Sequence, residues 1–534
     1  MTSTALAPSG ARAGSPWLVA AIVVVPTFME VLDTTIAVVA LRYIAGGLSA
    51  TVSDGEWVLT SYLAANAVIL PISGWLSAHL GRRRYFLLSI AIFTLSSALC
   101  GFASSLGQLI LFRVIQGLAG GGLQPCSQGV LLDSFPREKQ GVAMTLFGLA
   151  ALIAPVVGPT LGGWITDQYN WRWVFLINVP IGLLALLGCY IKLRDPDYLV
   201  AERAALKKKP FQFDSIGLSL LVLVMISWEV MLSKGQEWDW LRDPFWRVQT
   251  LGAFFVVGLV ALVVWELRHR SPVVNFRPLR ERNFAACCII IFSAYLALYG
   301  ASTSLPGLLQ SLFGYDALSA GLVMSPGGIF ALLAMPVVGI ALGRGLDARW
   351  LIAGGLLAMT AGNYWMSQLN LDISPGQVIW PRVVLVAGLA VCFAPANVAA
   401  YLYVPRELRG AAVGLLSLLR SEGGSVGTSS AQAIQERRDQ FHSLRLGEYL
   451  DPFNAAAQSF MGRAQALFQQ QTADPVAAKQ LALLGLAKLR QQQAAALSYF
   501  DVFWLLAVLT LALVVVVLFM KRSVAEKGAA IVSE

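Results

Sequence analysis

The feature that most constrains this sequence is a succession of long apolar runs, each about the length a helix needs to cross a bilayer. They fall near 17–41, 57–78, 85–103, 108–132, 141–165, 173–191, 213–233, 248–267, 284–310, 318–342, 350–369, 380–402, 408–430 and 500–520. Inside a membrane each run must satisfy its own backbone groups, which it does as a helix. Charged residues make up only 13% of the chain and hydrophobic residues 57%, whereas soluble domains carry about 25% charged residues. We therefore expect one all-α polytopic membrane protein with 14 transmembrane helices. A soluble chain of 534 residues would instead divide into several domains.

The net charge is +9. The basic residues gather in short segments such as Arg82–Arg84, Lys207–Lys209 and Lys521-Arg522, and the alternate loops carry few. This asymmetry places both termini in the cytoplasm by the positive-inside rule, with no need to invoke nucleic acid. The first run is too long and too acidic for a cleavable signal. All six cysteines lie in apolar runs without zinc-ligand spacing, so packed thiols are expected. His79, His269 and His442 fall in loops or at loop edges and form no cluster with cysteines or carboxylates. There is no Walker phosphate loop, nucleophile elbow or zinc signature. The chain is thus expected to be a transporter without metal or cofactor, and not an enzyme.

The first run, VVVPTFMEVLDTTIAVVAL from Val23 to Leu41, contains two acids, Glu30 and Asp33. A charge at mid-membrane costs about 3 kcal/mol on insertion scales and is usually kept for an ion or proton pathway. A spacing of three puts both on one helical face. The fourth run offers Arg113, followed on the same face by Gln116, Gly117 and Gly120. Counted at 1.5 Å per residue, Arg113 lies about 8 Å and Asp33 about 12 Å below the outer ends of their helices, depths compatible with contact. Proton coupling is assigned to Asp33, Glu30 and Arg113, with Arg113 either switching with the protonation of Asp33 or forming a static pair.

Further polar residues singled out within the runs are Asn66, Glu229, Arg420 and Glu422. With Gln116 they form the expected substrate cavity, although Asn66 could serve as interhelical glue and Glu229 could snorkel outward. Arg420 and Glu422, two apart, point different ways. The fifth run is unusually slim. Gly148, Pro155, Gly158, Pro159, Gly162 and Gly163 allow close approach and interrupt backbone donors, which suits either a sliding, hinging surface or simple tight packing. Gly74, Gly81 and Arg82 belong to a turn, Gly74–Arg84, where glycine permits the bend and the arginines could act in switching or only anchor topology.

Two segments look alike. Pro71-Ile-Ser-Gly74 runs into Gly81-Arg82, and Pro336-Val-Val-Gly339 runs into Gly343-Arg344-Gly345. Repeated halves suit a transporter with a midplane site. We expect a tail over 1–16, a six-helix bundle over 17–191, two inserted helices with linkers over 192–283, a second six-helix bundle over 284–520, and a tail over 521–534. Within the second bundle, 431–499 is rich in Gln and Ala with amphipathic stretches such as Ala477–Leu497. It lies outside, as a cap over the mouth or a docking surface.

These residues resemble a known family, the fourteen-helix drug:proton antiporters of the major facilitator superfamily. The resemblance rests on Leu32-Asp-Thr-Thr-Ile36, Gly74–Arg84, Arg113-Val-Ile-Gln-Gly117, Ala154-Pro-Val-Val-Gly-Pro159 with Gly162-Gly163, and Trp171-Arg-Trp-Val-Phe-Leu-Ile-Asn-Val-Pro180. It continues through Trp265-Glu-Leu267, Arg282-Asn-Phe284 and Arg420, and covers nearly the whole chain. It implies an inner-membrane exporter of hydrophobic or amphipathic drug-like compounds in exchange for protons. It also implies Asp33 and Arg113 as the coupling region, 148–163 as the antiporter helix, and a periplasmic adaptor (a membrane fusion protein) with a TolC-like outer-membrane channel as partners, docking on 431–499. Two departures stand out. The turn carries His79 and lacks the usual Asp, and Glu30 lies outside the family pattern. The alternatives are a dedicated exporter of one endogenous metabolite, such as a fatty acid or siderophore, and a membrane sensor or scaffold.

Overall fold

The computed structural model describes residues 16–135, 140–196, 199–200, 203–204, 214–269, 272–315, 317–372, 374–451, 453–472 and 474–523. Most of the two terminal tails and the Lys207–Lys209 cluster lie outside the described residues. The long helices are α1 (Pro16–Gly47), α2 (Trp57–Leu80), α3 (Arg82–Gly101), α4 (Leu106–Ser134), α5 (Gln140–Gln168), α6 (Trp173–Lys192), α7 (Ser215–Lys234) and α8 (Arg247–Arg268). They continue with α9 (Arg282–Leu312), α10 (Ala317–Gly343), α11 (Ala348–Ser367), α12 (Pro375–Leu402), α13 (Arg409–Glu448), α14 (Ala455–Thr472) and α15 (Pro475–Leu518).

Among the described residues, 11 helices are long and apolar enough to cross a membrane, and α5, bent by 45° after Pro155, makes a twelfth. Helices α11 and α13 occupy the other two expected positions but carry buried polar residues, Asn363 on α11 and Arg420 and Glu422 on α13. Helix starts carry local signals. Ser105 Oγ accepts from the Gln108 amide at the start of α4, and Asp214 accepts from the Gly217 amide at the start of α7. At α12 a capping box joins Ser374 and Gln377 across Pro375, the first helical residue. Each satisfies amides that a first helical turn leaves open.

Helices α1–α6 pack among themselves, as do α9–α13 with α15. The groups meet along two seams, α2 against α13 and α5 against α10. Glycines set both. At the α2–α3 turn end, a Cβ on Gly74 would lie 2.7 Å from the Gly410 backbone. Towards the opposite end, a Cβ on Gly321 would lie 2.3 Å from Thr160 Oγ1. Helix α7 pairs with α8 and leans on α2 and α13. Only 17% of the most apolar stretch of α8 is buried, against 78% for α12, so α8 faces lipid on most sides. The two look-alike segments end alike, with Gly81 at φ 89° and Gly345 at φ 87°, a conformation that costs glycine little.

The segment 431–499 is a helical projection. Helix α13 runs 40 residues and α15 runs 44, lengths of about 60 and 66 Å against a hydrocarbon core of about 30 Å. Their extensions stand side by side with α14 packed on α15. His442, expected at a loop edge without a carboxylate partner, instead lies on α13, where its Nε2 is 2.7 Å from Asp501 Oδ2. The Arg438 Nε donates to that oxygen at 2.5 Å. The long helical register was not visible because the Gln/Ala composition carries no membrane-type apolar signal.

Candidate functional site

The first helix brings its two acids to one side, and the structure surrounds them differently. Asp33 is fully buried. Its Oδ2 accepts from Arg113 Nη1 at 2.5 Å, and its Oδ1 accepts from Gln116 Nε2 at 3.0 Å and Asn178 Nδ2 at 2.7 Å. Arg113 is also fully buried. Its Nε donates to the Val58 carbonyl at 3.1 Å, and its Nη1 donates to Gln116 Oε1 at 2.8 Å. The guanidinium sits 4.1 Å from the centre of the Tyr62 ring. Ser97 Oγ accepts from Asn178 at 3.1 Å. Five helices, α1, α2, α3, α4 and α6, thus converge on one ion pair. A buried pair repays its desolvation only with such geometry and extra hydrogen bonds. Losing either charge would leave the other buried and unpaired.

Glu30 lies one turn away and is also buried. Asn66 Nδ2 donates to its Oε1 at 3.1 Å. The Glu30 Oε2 has no hydrogen-bond partner among the described residues, and the nearby Gln124 accepts from Arg420 Nη2 on α13. The line Glu30, Gln124, Arg420 therefore crosses from one half to the other. Arg420 projects into an aromatic cluster, 5.3 Å from the Phe147 ring and 5.9 Å from the rings of Tyr295 and Phe393. Glu422 points the other way, as two-residue spacing on a helix requires. It abuts Glu229 of α7, which accepts from Ser425 Oγ at 3.2 Å. Glu229 is buried against α13 and does not reach outward to the surface.

Asn66 and Gln116 belong to the carboxylate networks, Asn66 with Glu30 and Gln116 with Asp33 and Arg113. Arg420 lies among the aromatics between the halves. Glu229 and Glu422 sit at the seam with the extra helix. On α5, a Cβ on Gly148 would meet Phe393 at 2.7 Å, on Gly158 Thr35 Oγ1 at 2.1 Å, and on Gly162 Ile36 at 3.2 Å. One face of α5 is thus pressed on α1 and its start on α12. Gly163 is buried, Pro155 half-buried at the bend, and the Pro159 side chain lies outside the described residues. In the turn, Arg82 pairs with Asp133 at the end of α4, and Asp195 Oδ1 accepts from the Arg83 amide at 2.7 Å. Two acids distant in sequence thus contact this turn.

Sequence reasoning missed Asn178, Tyr62 and Gln124. Asn178 had a signal, a polar residue inside the apolar run that starts at Trp173. All six cysteines are free and buried. No cluster with metal-ligand composition occurs among the described residues.

An all-helical bundle in two packed groups, with a charge pair sealed into the first, has the form of a membrane transporter. The chain belongs to the Major Facilitator Superfamily, whose family model matches residues 23–428. Within it the chain is similar to the multidrug export protein EmrB of Escherichia coli K12, at 36% identity over 499 residues, 93% of each chain. It is also 35% identical over 428 residues to the fatty acid resistance protein FarB of Neisseria gonorrhoeae, covering 80% of this chain and 82% of that one. Among solved structures, the superfamily proton:xylose symporter XylE superposes with a TM-score of 0.58 at 12% identity, over 92% of this chain and 94% of that one, a likeness of fold. The chain is an EmrB-like, multi-pass membrane transporter.

Proposed function

We propose that this protein is a proton-coupled exporter of hydrophobic and amphipathic drug-like compounds, working by alternating access in a bacterial inner membrane. The observation that carries this reading is the sealed Asp33–Arg113 pair, held by donors from several helices. Protonating Asp33 releases Arg113, and the helices these residues join are then free to shift, so the proton favours one access state. Glu30, linked through Gln124 to Arg420, passes the change to the other half. Substrate binds between the halves near Arg420, where apolar and aromatic side chains supply affinity with few polar contacts. The bundles 17–191 and 284–520 rock along the α2–α13 and α5–α10 seams, with both termini cytoplasmic. Gly158 and Gly162 let α5 slide on α1, and Gly148 lets its start approach α12. The helical projection outside the membrane docks a periplasmic adaptor leading to a TolC-like channel.

The similarity to FarB favours a second reading, a dedicated exporter of amphipathic acids. Purified protein in proteoliposomes with an imposed pH gradient tests the main reading. Adding an aromatic drug should dissipate the gradient faster than it does in empty liposomes. Equal rates for a full substrate panel would rule out coupled exchange and leave a sensor or scaffold.

A further inference from the structure

Arg382 on α12 is a buried guanidinium with open donors. It is 1% exposed. Its Nη2 donates to Ser302 Oγ on α9 at 2.7 Å. Its Nε and Nη1 meet no acceptor, and it joins no ion pair among the described residues. A guanidinium stays charged at any physiological pH. A charge buried without a partner is among the least tolerated features of a protein interior.

The other half shows what such a residue usually meets. Arg113 and Arg382 are each the eighth residue of their helices, α4 and α12. Each reaches the first helix of its own group, α1 or α9. There Arg113 finds the Asp33 carboxylate, and Arg382 finds only a hydroxyl. The likeness extends to a third helix. Ser97 is the sixteenth residue of α3 and Asn363 the sixteenth of α11. Ser97 helps hold the Asp33 cage through Asn178, whereas the Asn363 amide, fully buried, has no partner at either end. Gly362 beside it packs so closely on α12 that a Cβ would lie 2.8 Å from the Pro381 carbonyl and 2.7 Å from the Leu385 nitrogen, which holds Asn363 near the level of Arg382. The second half keeps the arginine, has Leu385 where the same register places Gln116, and lacks the acid.

We propose that Arg382, with Ser302, binds a monovalent anionic group that stands where the first half has Asp33. The site's single unbalanced positive charge and planar fork suit a halide or a carboxylate. Its source is either an inorganic anion or the head of an amphipathic substrate. This site is independent of proton coupling at Asp33.

The test uses purified full-length protein in lipid nanodiscs, with thermal unfolding followed in chloride, in hexanoate, and in gluconate, a carboxylate whose hydroxyl groups make its burial costly. The wild type should melt roughly 2–4 °C higher in saturating chloride or hexanoate than in gluconate. Arg382→Gln should lose this difference. Ser302→Asp supplies the acid internally, so it should also lose the difference and melt higher than the wild type in gluconate. A response to chloride assigns the site to an inorganic anion, and a response to hexanoate alone assigns it to a substrate carboxylate. The proposal is overturned if the wild type melts alike in all three salts, or if both variants keep its anion response. Should Arg382→Gln fail to fold, Ser302→Asp decides alone.

Discussion

Asn178 donates to Asp33 Oδ1 at 2.7 Å and so ties α6 to α1 at the same carboxylate that Arg113 and Gln116 hold from α4. A hydrogen bond to a charged group contributes about 1.5–3 kcal/mol, so its loss changes the balance between protonated and paired states by tenfold or more. Asn178→Ala should therefore lower the initial rate of coupled efflux about tenfold at equal membrane level, while Asn178→Gln restores part of it. A rate unchanged in Asn178→Ala would show that this contact only fastens the helix.

Gly158 should tolerate almost nothing larger. A Cβ there would stand 2.1 Å from Thr35 Oγ1, on a helix that also contributes Glu30 and Asp33. Gly158→Ala should slow transport several-fold by forcing α1 and α5 apart, and Gly158→Leu should abolish it without preventing insertion. Labelling of single cysteines on both sides of the membrane would separate a protein fixed in one state from one that is misfolded.

Arg420 lies within cation–π range of three rings, contacts of about 0.5–2 kcal/mol each, depending on desolvation. Arg420→Met should raise KM for planar aromatic compounds roughly three- to tenfold. It should also cut the link to Gln124, so the maximal rate falls as well. An unaltered substrate profile would move the binding surface away from this cluster.

The Arg438 and His442 contacts with Asp501 brace the projecting helices at their base. Asp501→Asn removes the charge that holds both. In intact cells it should reduce resistance through poorer coupling to an adaptor, while transport into everted vesicles, where no adaptor is needed, stays near the wild-type rate. Equal loss in both assays would mean that the brace serves the membrane domain itself.

Some of this was legible in the chain. Acids three apart in an apolar run announce a shared face, and Arg113 at a compatible depth on another run announces a partner, because both inferences need only helical geometry. Asn178 was harder, since an amide in an apolar run usually bonds a neighbouring helix for packing alone and nothing local aims it at residue 33. The partnership of Arg82 with Asp133 joins positions 51 apart, which only the tertiary path connects. That 431–499 lies outside with amphipathic stretches was legible, but not that it continues the flanking helices, because a Gln/Ala-rich helix that leaves the bilayer has no hydropathy edge to mark where it goes on. Arg382 carried the same signal as Arg113, an arginine inside an apolar run, but its want of an acid partner shows only in the fold.

The most direct test of the central claim is Asp33→Asn in everted vesicles energised by a proton gradient, with membrane level confirmed and uphill drug accumulation measured. The account predicts that accumulation is lost while downhill equilibration of the same drug persists. Accumulation at the wild-type level would contradict it.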